Sequence, residues 1–124
     1  MLNVIAICIA ACVGALMRWG FQVWLNPGGV VPWGTLAVNL IGGYIVGVAI
    51  AAFAALPDID PAWRLMVITG FLGSLTTFSS FSAEVVGMLM SGRAGLAVCT
   101  LAMHLGGSLA LTWLGFRTAQ HFIA

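Results

Sequence analysis

The stretch that decides the fold is GFLGSLTTFSSFSAE, residues 70–84. Six of its fifteen residues carry a hydroxyl group, two of its three phenylalanines lie among them, and the only glutamate of the chain, Glu84, ends it. Glycine and β-branched threonine are poor helix formers, so its two glycines and the Thr76–Thr77 pair lower the helix propensity. We predict that a helix containing this stretch breaks between residues 73 and 78.

The chain as a whole has the composition of a membrane protein. It has 124 residues, of which 62% are hydrophobic and only 6% charged. A soluble domain carries about a quarter charged residues. With a net charge of +1 and no run of basic or acidic residues, nucleic acid is not an expected partner.

Hydropathy and turn signals divide the chain into helices. A helix needs about 20 apolar residues to cross the hydrocarbon core. The sequence predicts an all-α integral membrane protein, a single four-helix transmembrane domain over residues 1–124 whose third helix is broken mid-membrane. The short loops leave no room for a soluble catalytic domain, so we do not expect an enzyme. The four predicted spans cover about residues 2–25, 32–56, 62–90 and 94–120.

The four arginines are divided equally between the two sides of this arrangement. Arg64 and Arg117 fall on the side of the termini, and Arg18 and Arg93 fall on the other. The positive-inside rule therefore gives no orientation. Either the chain inserts both ways and pairs antiparallel with a second copy, or a small number of charges happens to balance. Four spans are too thin to enclose a wide cavity, so a dimer is the smallest expected assembly.

A helix break in a membrane leaves backbone carbonyls that need partners. Freed carbonyls are hard oxygen ligands suited to a small cation, as in the discontinuous helices of transporters. The alternative is that the serine and threonine hydroxyls simply bond back to the preceding turn. The sequence leaves both open.

Two phenylalanines and one asparagine extend the polar stretch. Phe78 and Phe81 are three residues apart and share a helix face. The edge of a phenyl ring is positive, so edge-on rings can solvate an anion weakly, although core packing is their commoner role. Asn39 lies in the middle of the second span, where its amide either joins helices or lines a path. Together they favour a narrow, uncharged anion path, because conduction requires binding weak enough to allow release.

Other polar side chains in the spans have more than one reading. Ser108 and Thr112 share a face of the fourth span, and His104 lies one turn before them. His104 is either a pore contact or a packing residue. Arg18 could attract anions to an entrance or reach for the headgroups. Glu84 could face a water-filled vestibule, accept bonds from hydroxyls, or pair with Arg18.

These residues resemble the signature of the small bacterial fluoride channels, the Fluc or CrcB family. The resemblance covers nearly the whole chain and depends chiefly on residues 70–84. Three shorter stretches agree: Gly14-Ala15-Leu16-Met17-Arg18-Trp19, Gly34-Thr35-Leu36-Ala37-Val38-Asn39 and His104-Leu105-Gly106-Gly107-Ser108.

The resemblance implies an antiparallel, dual-topology homodimer with two fluoride pores in a bacterial inner membrane. It implies a passive channel that exports cytoplasmic fluoride and relieves its toxicity. A structural sodium ion would lie on the two-fold axis, held by the main-chain carbonyls of Gly73 and Thr76. Arg18 would lie near a vestibule. By motif position the fluoride path would include Asn39, Phe78, Phe81, Thr35, Ser80, Ser108 and Glu84.

Two other functions fit the same composition. A proton-coupled exporter of the small four-helix multidrug type would need a membrane-embedded carboxylate, and Glu84 is the only candidate. A non-transporting assembly subunit would use its glycine-rich faces for packing alone.

Overall fold

The computed structural model describes residues 1–123, and within them every regular element is helical. Within the same residues, four helical spans are long and apolar enough to cross a membrane, which makes this a multi-pass membrane protein. The prediction of an all-α chain with a broken third span is confirmed. The elements are α1 (Leu2–Leu25), α2 (Trp33–Ala55), α3 (Pro61–Arg64), a π-helical segment (Leu65–Leu72), α4 (Gly73–Leu75), α5 (Phe78–Met90) and α6 (Ala94–Ile123).

The loops between the spans are held by side-chain caps and glycine turns. Asp60 accepts a hydrogen bond from the Ala62 N–H at 2.9 Å, with Pro61 in the first helical position, so α3 starts with a typical N-cap. In the first loop, Asn26 Oδ1 accepts from the Gly34 N–H at 2.6 Å. Gly92, at φ +76°, supplies the left-handed residue of the turn before α6.

The third span, Pro61–Met90, is interrupted at Thr76 and Thr77. Thr76 has φ −82° and ψ 155°, and Thr77 has φ −148° and ψ 117°, so both are extended rather than helical. This interruption lies within the predicted range. The π-helical turns that precede it were not predicted; such turns are rare and are frequent near functional sites.

Hydroxyl back-bonding occurs beside the break. Ser74 Oγ donates to the Gly70 carbonyl at 2.8 Å, and Thr76 Oγ1 donates to the Leu72 carbonyl at 2.8 Å. The back-bonding alternative is therefore correct for these two side chains. The span that contains them is nevertheless broken at Thr76 and Thr77.

Glycines let the spans approach closely. On α2 and α6, a Cβ added at Gly47 would collide with the Thr112 carbonyl, and one added at Gly115 would collide with the Tyr44 carbonyl. The Thr112 hydroxyl also donates to the Gly43 carbonyl across this interface at 2.9 Å. Small residues of this kind bring backbones into contact where no hydrophobic effect drives helices together.

We predict that Gly47→Ala lowers the thermal unfolding midpoint of the detergent-solubilised protein. The added methyl group must push α2 and α6 apart, and overpacking of this kind typically costs about 1–3 kcal/mol. The matched control is Gly20→Ala in α1, because a Cβ there meets nothing within 4 Å. Thermal unfolding followed by size-exclusion chromatography measures both, and equal midpoints for the two variants would contradict the assignment of Gly47 to a tight interface.

Candidate functional site

The break in the third span is held from α2 by one side chain, Asn39. Its Oδ1 accepts a hydrogen bond from the Thr77 N–H at 2.8 Å, and its Nδ2 donates to the Thr77 carbonyl at 3.0 Å. The amide thus pairs with both backbone groups of one extended residue. These two bonds satisfy main-chain groups that hydrocarbon cannot solvate.

Thr77 also starts the helix beyond the break. Its Oγ1 accepts from the Ser80 N–H at 3.1 Å, the usual contact of a threonine N-cap. α5 therefore begins at Phe78, and the direction in which its first side chains point depends on this cap.

The Asn39 amide and the Thr77 hydroxyl release two carbonyl oxygens from helical hydrogen bonding. In a regular helix the N–H of residue i+4 donates to the carbonyl of residue i. Here the Thr77 N–H is donated to Asn39 instead of the Gly73 carbonyl, and the Ser80 N–H to Thr77 Oγ1 instead of the Thr76 carbonyl. Gly73 and Thr76 are the two residues whose carbonyls were predicted to bind sodium.

A cavity of about 450 Å³ lies beside the break. It brings together six of the predicted site residues with two residues that were not assigned to the site. Most of the remaining lining is aliphatic or glycine. The predicted residues on its wall are Asn39, Gly73, Thr76, Phe78, Phe81 and Ser108, and the others are Thr77 and His104.

The two phenylalanines meet edge to face at this cavity. The ring centroids of Phe78 and Phe81 are 5.6 Å apart and the ring planes are 70° apart. Phe81 is only 5% exposed, whereas Phe78 is 75% exposed in the single chain. The edge-to-face geometry turns the positive edge of one ring toward the negative face of the other.

His104, on α6, completes the wall. Its ring lies 4.4 Å from the Phe81 ring, centroid to centroid, and the two planes are 31° apart. Its Nδ1 is 3.1 Å from Asn39 Nδ2, and the residue is 4% exposed. Its Nε2 is buried and has no hydrogen-bond partner among residues 1–123.

Thr35 and Glu84 form a separate pair. Thr35 is fully buried, and its hydroxyl donates to Glu84 Oε1 at 2.5 Å. Glu84 borders a second cavity of about 320 Å³ together with Arg93. Hydroxyl bonding, one of the three readings of Glu84, is found, and the vestibule reading stays a prediction.

For two predicted residues, the contact with the site involves a main-chain atom. Arg18 Nε donates to the Ser74 carbonyl at 2.9 Å, so its guanidinium satisfies an oxygen just before the break. The Ser80 N–H donates to the Thr77 hydroxyl that caps α5, as described. The vestibule role of Arg18 and the pore role of the Ser80 hydroxyl stay predictions.

Three residues that line the two cavities were not assigned to a site from the sequence. Thr77 carried a local signal, because threonine is favoured at the N-cap of a helix. His104 was left between two readings, and its contact with Asn39 joins residues 65 apart in the chain. Arg93 was counted only for charge. Among the described residues, no group of three or more His, Cys, Asp or Glu side chains could hold a metal ion.

The sequence matches the family model for CrcB-like protein, Camphor Resistance (CrcB), over residues 5–116. A fluoride-specific ion channel FluC of Paracidovorax citrulli (strain AAC00-1) is 72% identical over 124 residues, 100% of this chain and 98% of that protein. The protein of the same name from Variovorax paradoxus (strain S110) is 65% identical over 100% of this chain and 99% of its own length. One from Chromohalobacter salexigens is 51% identical over 94% of this chain and 89% of its own length.

We predict that Asn39→Ala increases hydrogen exchange of the Thr77 amide by about tenfold or more. The truncation leaves the Thr77 N–H and carbonyl unpaired, and a stranded buried polar group costs about 1–3 kcal/mol. The measurement is hydrogen–deuterium exchange resolved to peptides covering residues 70–84. The control is Asn3→Ala, in an exposed position of α1. Unchanged exchange at Thr77 in the Asn39 variant would show that other contacts hold the break.

Proposed function

This chain belongs to the CrcB family, and on that premise we propose that it is a passive, fluoride-selective channel. The observation that carries the proposal is one cavity in which the Asn39 amide and the edge-to-face pair of Phe78 and Phe81 stand together. The whole-length similarity to proteins named fluoride-specific ion channels supports it.

Fluoride is a small anion with a tightly held hydration shell. A pore that carries it must replace that water with hydrogen-bond donors while binding the ion weakly enough to release it. Hydroxyls and ring edges meet this requirement, because each attracts an anion without a full positive charge. Ser108, on the cavity wall, adds a hydroxyl to this set. Thr35, Ser80 and Glu84 would continue the path toward the second cavity.

The direction of transport follows from passive conduction. Hydrogen fluoride crosses membranes as a neutral molecule from acidic surroundings and ionises in the cytoplasm. The membrane potential, negative inside, then drives the trapped anion out through any open path. Such export needs no coupling ion, and it would relieve fluoride toxicity in a bacterial inner membrane.

We further propose a structural sodium ion held by the main-chain carbonyls of Gly73 and Thr76. The donor set fits a small hard cation, because these two oxygens are the ones deprived of their helical donors by Asn39 and Thr77. When bound, sodium would neutralise the carbonyl dipoles at the break. Two oxygens from one chain are too few to coordinate a cation. The ion would therefore lie on the two-fold axis of a dimer, where the second copy contributes the same two oxygens.

An antiparallel, dual-topology homodimer agrees with the charge distribution. Arg64 and Arg117 lie at one end of the spans, where each guanidinium packs near an aromatic ring, Phe53 at 5.8 Å and Trp113 at 5.9 Å. Arg93 lies at the opposite end, in the turn before α6. Two copies of opposite orientation would present the same charges to both membrane faces.

Fluoride efflux from liposomes tests the proposed function. Purified protein in sodium-containing liposomes, with a potassium ionophore to set the voltage, should release fluoride rapidly and retain chloride. Replacement of sodium by an organic cation should abolish most of the release, while Thr76→Ser, which keeps the main-chain ligand, should retain it. The absence of fluoride release from verified dimers would overturn the channel proposal.

The same liposomes separate a channel from a proton-coupled exporter. Glu84 is the residue at issue because it is the only carboxylate between residues 61 and 123, and its Oε2 is buried without a partner in the described chain. Glu84→Gln should leave part of the fluoride flux, since a channel needs no alternating protonation. Complete loss of fluoride flux in this variant, together with flux in the parent protein that requires a proton gradient, would favour the exporter.

The aromatic pair gives a further prediction. Phe81→Ile should reduce fluoride efflux by about tenfold or more, because about 1.4 kcal/mol lost at the barrier changes a rate by a factor of ten. Phe78→Ile should act in the same direction. Phe122→Ile is the control, since that ring is 80% exposed near the end of α6. Chemical cross-linking checks that each variant remains assembled, and unchanged efflux from the Phe81 variant would remove this ring from the path.

A further inference from the structure

The orientation of the Asn39 amide is fixed by Thr77. The Thr77 N–H can only donate and its carbonyl can only accept, so Oδ1 must face the first and Nδ2 the second. A flipped amide would place two acceptors together and two donors together. Asn39 therefore has one remaining N–H of known direction, and it points to His104.

This remaining N–H determines where the imidazole proton of His104 resides. Asn39 Nδ2 lies 3.1 Å from His104 Nδ1 and has no lone pair to offer. Nδ1 must accept the hydrogen bond, so it carries no proton. The ring is then neutral, and its single proton is on Nε2.

The Nε2–H group is a buried donor that no side chain or main-chain atom of residues 1–123 accepts. A buried donor without an acceptor costs free energy, so a polar or anionic partner stabilises it. His104 is 4% exposed and lines the cavity of about 450 Å³ with Phe81 stacked against its ring. The residue that carries this donor therefore lies on the same cavity wall as Asn39 and the two phenylalanines.

We propose that Asn39 is a positioning residue that holds His104 in its Nε2–H tautomer, and that this Nε2–H donates a hydrogen bond to a small anion in the cavity. The identity of the anion as fluoride depends on the proposed function; the tautomer does not. A fixed neutral donor attracts an anion without the full charge of an imidazolium, which suits an ion that has to leave again.

Nitrogen NMR of the labelled protein in micelles, at neutral pH and with sodium present, tests the tautomer directly. His104 should show a protonated Nε2 and an unprotonated Nδ1. His121, exposed in the last turns of α6, provides the internal reference of a histidine whose proton is not fixed by an amide. A proton on Nδ1, or on both ring nitrogens, would overturn the proposal whatever the protein transports.

The variant Asn39→Asp tests the cause. A carboxylate offers only acceptors, so it should draw the imidazole proton to Nδ1 and exchange the shifts of the two ring nitrogens. If this variant fails to fold, the parent spectrum alone still decides the tautomer. An Nε2–H tautomer that persists in a folded Asn39→Asp protein would refute the positioning role.

Two substitutions of His104 test the donor. The amide nitrogen of glutamine reaches about the position of Nε2, whereas that of asparagine reaches only about the position of Nδ1. His104→Asn should therefore show about tenfold less fluoride efflux than His104→Gln, the effect of one hydrogen bond to a charged group. Efflux from the asparagine variant equal to that from the glutamine variant would refute the donor role.

Titration with the ions themselves identifies the acceptor. Fluoride should shift the His104 Nε2–H signal, while chloride at the same ionic strength should not. No shift with fluoride, or equal shifts with both, would mean that the donor serves water or packing, and would overturn the anion part. If the parent protein releases no fluoride from liposomes, the proposed function fails and the anion assignment fails with it, while the tautomer is still judged by its own spectrum.

Discussion

The two hydrogen bonds between the Asn39 side chain and the Thr77 backbone are the interaction on which the site depends. Hydrocarbon offers no partner to an interrupted helix, so each freed N–H or carbonyl needs one from the protein. A side-chain amide suits this task because it has a donor and an acceptor side by side. With Thr77 held in this way, the third span can be broken in mid-membrane at low cost.

The remaining site geometry follows from that anchored residue. Thr77 becomes an N-cap, so α5 starts at Phe78 and places two phenyl rings on one face. Asn39 and the Thr77 hydroxyl also accept the two N–H groups that would otherwise donate to the Gly73 and Thr76 carbonyls. One asparagine thereby links the aromatic wall, the released oxygens and, through its last N–H, the histidine of α6.

Close packing supports this arrangement from outside the site. α1 contacts the span before the break, where a Cβ on Gly14 would collide with the Phe71 carbonyl and the Ser74 hydroxyl. Arg18, one turn further along α1, satisfies the Ser74 carbonyl. A membrane-embedded arginine is costly unless it is paired with protein groups, and here the break supplies its acceptor. The broken span thus offers Arg18 a partner, and Arg18 in turn stabilises the break.

The sequence by itself determined the membrane class, the helical spans and the position of the break, because hydropathy, propensity and turn residues are local properties. It also indicated six residues of the cavity wall, four of them in the single stretch 70–84. Only the tertiary structure decided that Asn39 bonds to residues 38 and 65 positions away, that Thr35 bonds to Glu84, and that Arg18 bonds to the Ser74 carbonyl. These contacts depend on the rotation and depth of whole helices against one another. The sequence near each residue does not determine that rotation, so local patterns could not identify these hydrogen-bond partners.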